Sequence, residues 1–97
     1  MPEIRYFRKK PIPVPMLEWT GENLEQMQEF VGLLQEPEDI PIRKFYQSPS
    51  GAKVYNTEEL AWIPCPVGHY VAKGANGEFY PISPDVLAKT YDEVEAP

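Results

Sequence analysis

The stretch "HYVAKGANGEFYPIS", residues 69–83, sets the frame of the fold. Asn76-Gly77 between two apolar runs is the strongest short-range hairpin signal, because both central residues of the tight turn need positive φ. A two-residue loop there sets Ala75 opposite Glu78, Lys73 opposite Tyr80 and Val71 opposite Ile82 as hydrogen-bonded pairs. On the other face lie Gly74 with Phe79, Ala72 with Pro81, and Tyr70 with Ser83. Pro81 then points its missing N–H outward, which costs the hairpin nothing and blocks half of its outer edge. Phe79 covers the bare Gly74.

Upstream, "KKPIPVPMLEW", residues 9–19, places proline at positions 11, 13 and 15. Alternate residues of a strand address the same neighbour, so these prolines delete donors along one edge only. The expectation is an edge strand, blunted on its proline side, with Ile12, Val14 and Met16 on one face and the prolines, Leu17 and Trp19 on the other. A short polyproline II segment also fits alternating proline.

Between these segments, "NLEQMQEFVGLLQ" reads as a helix. Asn23 and Gln26 have capping-box spacing, and Leu24, Met27, Phe30, Val31 and Leu34 form one apolar stripe. Gly32 weakens its last turn. "IRKFYQ" and "KVYNT" read as strands joined across "SPSG", and "LAWIP" as a third, short strand. "CPVGH" turns the chain. "SPDVLAKTY" begins as a helix, with Ser83 as cap and Pro84 in the first position. The expected fold is α+β: a small, mostly antiparallel sheet with proline-blunted edge strands, one long helix packed across it and a short C-terminal helix. Its 97 residues form a single domain, 1–97, with residues 91–97 a partly loose tail.

The net charge of −6 argues against duplex nucleic acid as a partner, since phosphate contacts demand a basic face. No apolar run is long enough to span a bilayer, no secretory leader follows Met1, and the single Cys65 agrees with a reducing compartment. A cytoplasmic protein is the expectation. The charge is uneven: "RYFRKK", residues 5–10, holds four of the nine cations, whereas residues 22–39 hold six carboxylates and no cation. A core this small leaves a thin margin of stability that self-association would widen, so a homo-oligomer is expected.

Catalysis has little to draw on. Cys65 and His69 flank one turn, a remote hint of a small Cys/His hydrolase, but no third orienting group is evident. One His and one Cys cannot close a tetrahedral metal site, and "GANG" is a hairpin turn, not a phosphate loop. The expectation is therefore a non-enzyme without cofactor. A binding face is read on the hairpin at His69, Lys73, Glu78 and Tyr80, where a cation beside an aromatic ring suits a base and a phosphate, although ordinary cross-strand pairing also fits these residues. Arg8, Lys9 and Trp19 would complete an anion site. Glu25, Glu29 and Glu36 offer a second surface, for a basic patch on a host protein.

The segments "EWTGENLEQMQEF" and "GHYVAKGANGEFYPISPDVLAKTYDEV", after a basic "RKKP", resemble small accessory proteins of tailed bacteriophages and prophages grouped around a Pro-Gly-Asp-Tyr-Gly motif. Trp19-Thr20-Gly21 and Gly77-Glu78-Phe79-Tyr80-Pro81 carry the resemblance, and His69 stands where that motif has Asp. The resemblance implies a phage protein of the infected host's cytoplasm and supplies no catalytic residue. Together with the binding face it leads to an expected counter-defence role: sequestering a small anionic, nucleotide-like signal, or inhibiting a host protein through the acidic helix.

Overall fold

The computed structural model describes residues 2–7, 12–34 and 42–95. The fold is α+β. In chain order the elements are β1 (Met16–Glu18), α1 (Leu24–Val31), β2 (Leu33–Leu34), β3 (Ile42–Arg43), β4 (Phe45–Ser48), β5 (Gly51–Asn56), β6 (Ala61–Pro64), β7 (Tyr70–Lys73), β8 (Phe79–Ile82) and α2 (Pro84–Thr90). They form two three-stranded antiparallel sheets, β1-β7-β8 and β4-β5-β6, and a two-stranded ribbon, β2-β3. The single sheet expected from sequence is thus divided. No helix among the described residues is long and apolar enough to cross a membrane.

The division has a local cause at the outer edge of β8. Gly74 N–H donates to the Glu78 carbonyl at 2.7 Å, so by alternation Tyr80 and Ile82 address β7 while Phe79 and Pro81 face outward. Pro81 has no donor to offer. The Phe79 carbonyl is taken instead by a side chain, Asn56 Nδ2 of β5, at 2.9 Å. Asn56 Oδ1 accepts from the backbone N–H groups of Glu58 and Glu59 at 2.9 and 2.8 Å, and so also organises the β5–β6 turn, where Leu60 has φ 54°. A second tie joins the turns themselves, Asn76 Nδ2 donating to Glu58 Oε1 at 2.7 Å.

The hairpin register is one residue away from the expected one. Lys73 pairs with Phe79, Ala72 with Tyr80, Val71 with Pro81 and Tyr70 with Ile82. The loop therefore has three residues, 75–77: Gly77 N–H donates to the Gly74 carbonyl at 3.0 Å and Gly77 takes the positive φ, 80°. Glu78 stabilises this longer loop by accepting from the Asn76 N–H at 3.0 Å. Its carboxylate, not Phe79, lies over Gly74, where a Cβ would collide with it. A slip of one exchanges faces: Lys73, Phe79, Val71 and Pro81 share one, and Glu78, Tyr80, Ala72 and Ile82 the other.

The proline segment also departs from expectation. Lys73 N–H donates to the Pro15 carbonyl at 3.0 Å and Trp19 N–H to the His69 carbonyl at 2.9 Å, so residues of proline parity face β7 rather than solvent. The ladder ends where the prolines begin, since Pro15 accepts one bond and cannot return one. β1 is an edge strand, as expected, but its outward side belongs to Val14, Met16 and Glu18 and is not blocked by proline. Pro11 lies outside the described residues.

Helix α1 stops at Val31, earlier than its apolar stripe suggests, because Gly32 adopts φ 73° and Leu33–Leu34 continue as a strand. The Asn23 side chain turns backward rather than capping the helix: Oδ1 accepts from Thr20, and Nδ2 donates to the Glu18 carbonyl at 2.8 Å and to Gln26 Oε1 at 3.2 Å. Helix α2 begins as expected, Ser83 Oγ accepting from Val86 N–H at 3.3 Å. The core lies between α1 and the facing sides of the two sheets: Trp19, Met27, Val31, Phe45, Val54, Val71 and Phe79. Trp19 meets Phe45 edge-to-face at 4.9 Å, and Phe30 meets Phe79 at 5.5 Å.

Replacing Asn56 tests the tie between the sheets. Asn56→Ala leaves the Phe79 carbonyl and the turn N–H groups without partners, an expected loss of ~1–3 kcal/mol, and each kcal/mol should lower Tm by about 4–8 °C. Asn56→Asp keeps the acceptor and removes the donor. Urea melts in which Asn56→Asp equals the wild type would show that the bond to Phe79 contributes nothing.

Candidate functional site

The residues singled out from sequence do not converge. Arg8 and Lys9 lie outside the described residues. Trp19 is 1 % exposed and sits against Phe45 in the core, so its ring cannot meet a ligand, which corrects the expectation placed on it. The parity it shares with Leu17 turns it inward. His69 closes the "CPVGH" turn through its N–H to the Pro66 carbonyl at 3.0 Å, and its Nδ1 is buried without a hydrogen-bond partner among the described residues.

Glu78 and Tyr80 line a groove of about 940 Å³ between the end of the β7–β8 hairpin and α2, and Lys73 borders it at the end of its strand. Val14, Val86 and Tyr91 supply its other walls. Burial, and after it the Tyr91 hydroxyl beside it, push the Tyr80 phenol up to about 12. The groove contains a carboxylate, Glu78, exactly opposed in sign to what a phosphate requires. By strand parity the Lys73 side chain belongs to the opposite face, and its charge lowers the pKa of Lys44, although burial of Lys44 is the larger cause. Lys44 Nζ stands 4.7 Å from the centre of the Phe79 ring. The hairpin face expected to hold a base and a phosphate together is thus split between two sides of the sheet.

An aromatic and cationic constellation lies instead on the outer face of β4-β5-β6. The ladder aligns Phe45, Val54 and Ile63 on the core side, leaving Tyr46 beside Lys53, and Tyr55 beside Trp62, on the other. Trp62 is contacted edge-to-face by both tyrosines, at 4.9 Å for Tyr46 and 5.2 Å for Tyr55. Tyr46 is exposed, and Tyr55, Trp62 and Lys53 are partly so. Such T-shaped contacts hold rings in fixed orientations. The strands expose no carboxylate on this face. The signal was present in the sequence: "KVYN" and "AWIP" each alternate, but only the register brings Tyr55 and Trp62 side by side.

The remaining candidates are more easily placed. Cys65 is 1 % exposed and its N–H donates to the Ala52 carbonyl at 2.9 Å. Burial pushes its thiol up to about 11, so at neutral pH the sulfur carries its proton and is a poor nucleophile. No hydrogen bond joins it to His69 among the described residues. Glu25 and Glu29 are exposed on α1, and Glu36 lies outside the described residues.

Comparison with protein-family models, with curated proteins and with solved structures finds no match to this chain.

Cys65 provides a direct check of this geometry. In the folded protein at pH 8 its reaction with a thiol-specific disulfide reagent should be ~5 × 10³-fold slower than in urea-unfolded protein, or slower still, a factor matching a global opening of about 5 kcal/mol. A folded-state rate close to that of the unfolded chain would show that the thiol is reachable and that its burial is wrong.

Proposed function

We propose that the chain is a non-enzymatic binding protein that holds a small anionic, nucleotide-like molecule on the outer face of β4-β5-β6. The observation that carries this reading is the Tyr46–Trp62–Tyr55 cluster with Lys53 beside it. A planar base gains stacking energy from an aromatic platform whichever base it is, because every base has a π-face. Lys53 supplies a point charge for the phosphate and sits next to the platform through its pairing with Tyr46.

Electrostatics favour this face over the groove at α2. A phosphate in the groove would meet Glu78, whereas the strands β4, β5 and β6 bring no carboxylate to the platform. Binding of this kind needs orientation and charge, not a nucleophile or a general base. The resemblance to phage accessory proteins extends the proposal to its setting: sequestration of a nucleotide signal in the cytoplasm of an infected host, as a counter-defence measure.

Titration with a cyclic dinucleotide and a panel of mononucleotides tests it by tryptophan fluorescence. Trp19 is enclosed, so quenching reports Trp62. Loss of one stacking platform costs about 1–3 kcal/mol, so Trp62→Ala, followed by equilibrium dialysis because it removes the fluorescent reporter, should weaken binding ~5- to 150-fold. Lys53→Ala should weaken it and flatten its salt dependence, while Lys73→Ala should leave it unchanged. The absence of quenching by every member of the panel would overturn the proposal.

A further inference from the structure

Of the chain's three asparagines, Asn23, Asn56 and Asn76, only Asn76 precedes a glycine. It stands exposed at the tip of the β7–β8 hairpin, and the space that a Cβ on Gly77 would take is open. The backbone nitrogen after Asn76 is therefore unshielded. Asn23 is followed by Leu24, the first residue of α1, and its amide is occupied by Thr20, Glu18 and Gln26. Asn56 is 5 % exposed, precedes the β-branched Thr57 and engages both ends of its amide inside the protein.

The Asn76 amide also fastens one sheet to the other. Its Nδ2 donates to Glu58 Oε1 at 2.7 Å, joining the hairpin tip to the β5–β6 turn, while the Asn76 N–H donates to Glu78 Oε2 at 3.0 Å. Two carboxylates thus face this residue, and both are met by donors. A carboxylate in place of the amide has no donor to offer Glu58 and brings a third negative charge to the corner. Gly77 N–H is meanwhile held by the Gly74 carbonyl at 3.0 Å, so the nitrogen and the side-chain amide are both tied while the loop is closed.

We propose that Asn76 is a site of spontaneous self-modification: it deamidates through a ring closed on Gly77, and the acid so formed releases the hairpin tip from the β5–β6 turn. The Gly77 nitrogen attacks Asn76 Cγ; the N–Cγ bond forms, the Cγ–Nδ2 bond breaks, and Nδ2 leaves as ammonia with the proton that Gly77 gives up. Water then opens the succinimide. Addition at Cγ yields aspartate with the peptide bond intact, and addition at the Asn76 backbone carbonyl yields isoaspartate, with Gly77 linked through the side chain. Water is the only co-reactant, and nothing is oxidised. Ring closure requires the loop to open first, so the contact with Glu58 governs the rate. Release runs one way: once the donor is gone the tie cannot re-form, and the end of the hairpin loosens while Asn56 still holds the Phe79 carbonyl. The step involves neither the aromatic platform nor Lys53, so it stands independently of the ligand-binding reading.

Ageing the whole chain in warm, neutral buffer made with heavy-oxygen water tests it. Peptide mapping by mass spectrometry should find the label at residue 76 at least several-fold sooner than at residues 23 and 56. Asn76→Gln keeps an amide but needs a larger ring, and should stay unlabelled. Glu58→Ala frees the Asn76 amide and should hasten labelling several-fold; if that variant does not fold, Glu58→Gln, a weaker neutral acceptor, takes its place. The aged fraction, separated by its extra negative charge, should melt a few degrees lower than fresh protein and exchange its Gly77 amide several-fold faster. Asn76→Asp should reproduce the lower Tm, and adding Glu58→Gln to it should restore the wild-type value, since the amide then donates from the other side. Labelling at residue 76 no sooner than at the other asparagines, a rate that ignores the Glu58 substitution, or an aged fraction with the Tm and amide exchange of fresh protein would each overturn the proposal.

Discussion

One buried amide links the two halves of this protein. Asn56 is 5 % exposed, uses Nδ2 on the Phe79 carbonyl of one sheet and Oδ1 on two N–H groups of its own turn, and thereby replaces a ladder that Pro81 cannot form. A carboxamide is suited to this position because it donates at one end and accepts at the other without introducing charge. Were the polar groups it serves left unpaired, each would carry its full desolvation cost. The shared core of Trp19, Phe45, Phe79 and Val54 draws on both sheets that the junction joins.

The division also sorts charge. Glu78 and the run Asp92, Glu93 and Glu95 lie on the α2 side of the β1-β7-β8 sheet, while Lys44 and Lys53 belong to the strands and bends of the other half. A net charge of −6 would suggest a surface hostile to anions throughout. The fold places several carboxylates beside α2 and leaves a lysine beside exposed rings on the outer face of β4-β5-β6. Local field, not total charge, decides what each surface accepts.

Much of the fold was legible. The α+β class, the "SPSG" hairpin, the Ser83-Pro84 helix start and the inward face of Leu17 followed from turn chemistry and periodicity. What failed did so by one residue or one parity. Asn76-Gly77 satisfies a two-residue loop and a three-residue loop equally well, and the choice between them rests on Glu78 reaching back to the Asn76 N–H, a contact the sequence does not announce. The prolines were correctly read as incompatible with pairing on one side, but which side meets β7 depends on the partner's register. The binding face inherited both uncertainties: with the register shifted, Lys73 and Tyr80 part company. The aromatic trio escaped notice because its members lie on three strands, and no local pattern links Tyr46 to Trp62.

Helix α2 offers a last consequence. None of its residues is fully buried, and it is held by a single cap, partial cover of Leu87 and the Tyr80–Tyr91 neighbourhood. It starts at the Ser83 cap, directly after a strand whose Phe79 carbonyl is fastened by Asn56. The molecule is therefore built with a gradient of cohesion, firm where the sheets join and loosest at its C-terminal cover. Amide exchange should read that gradient as two separate opening events, the helix detaching as its own foldon while the junction stays closed.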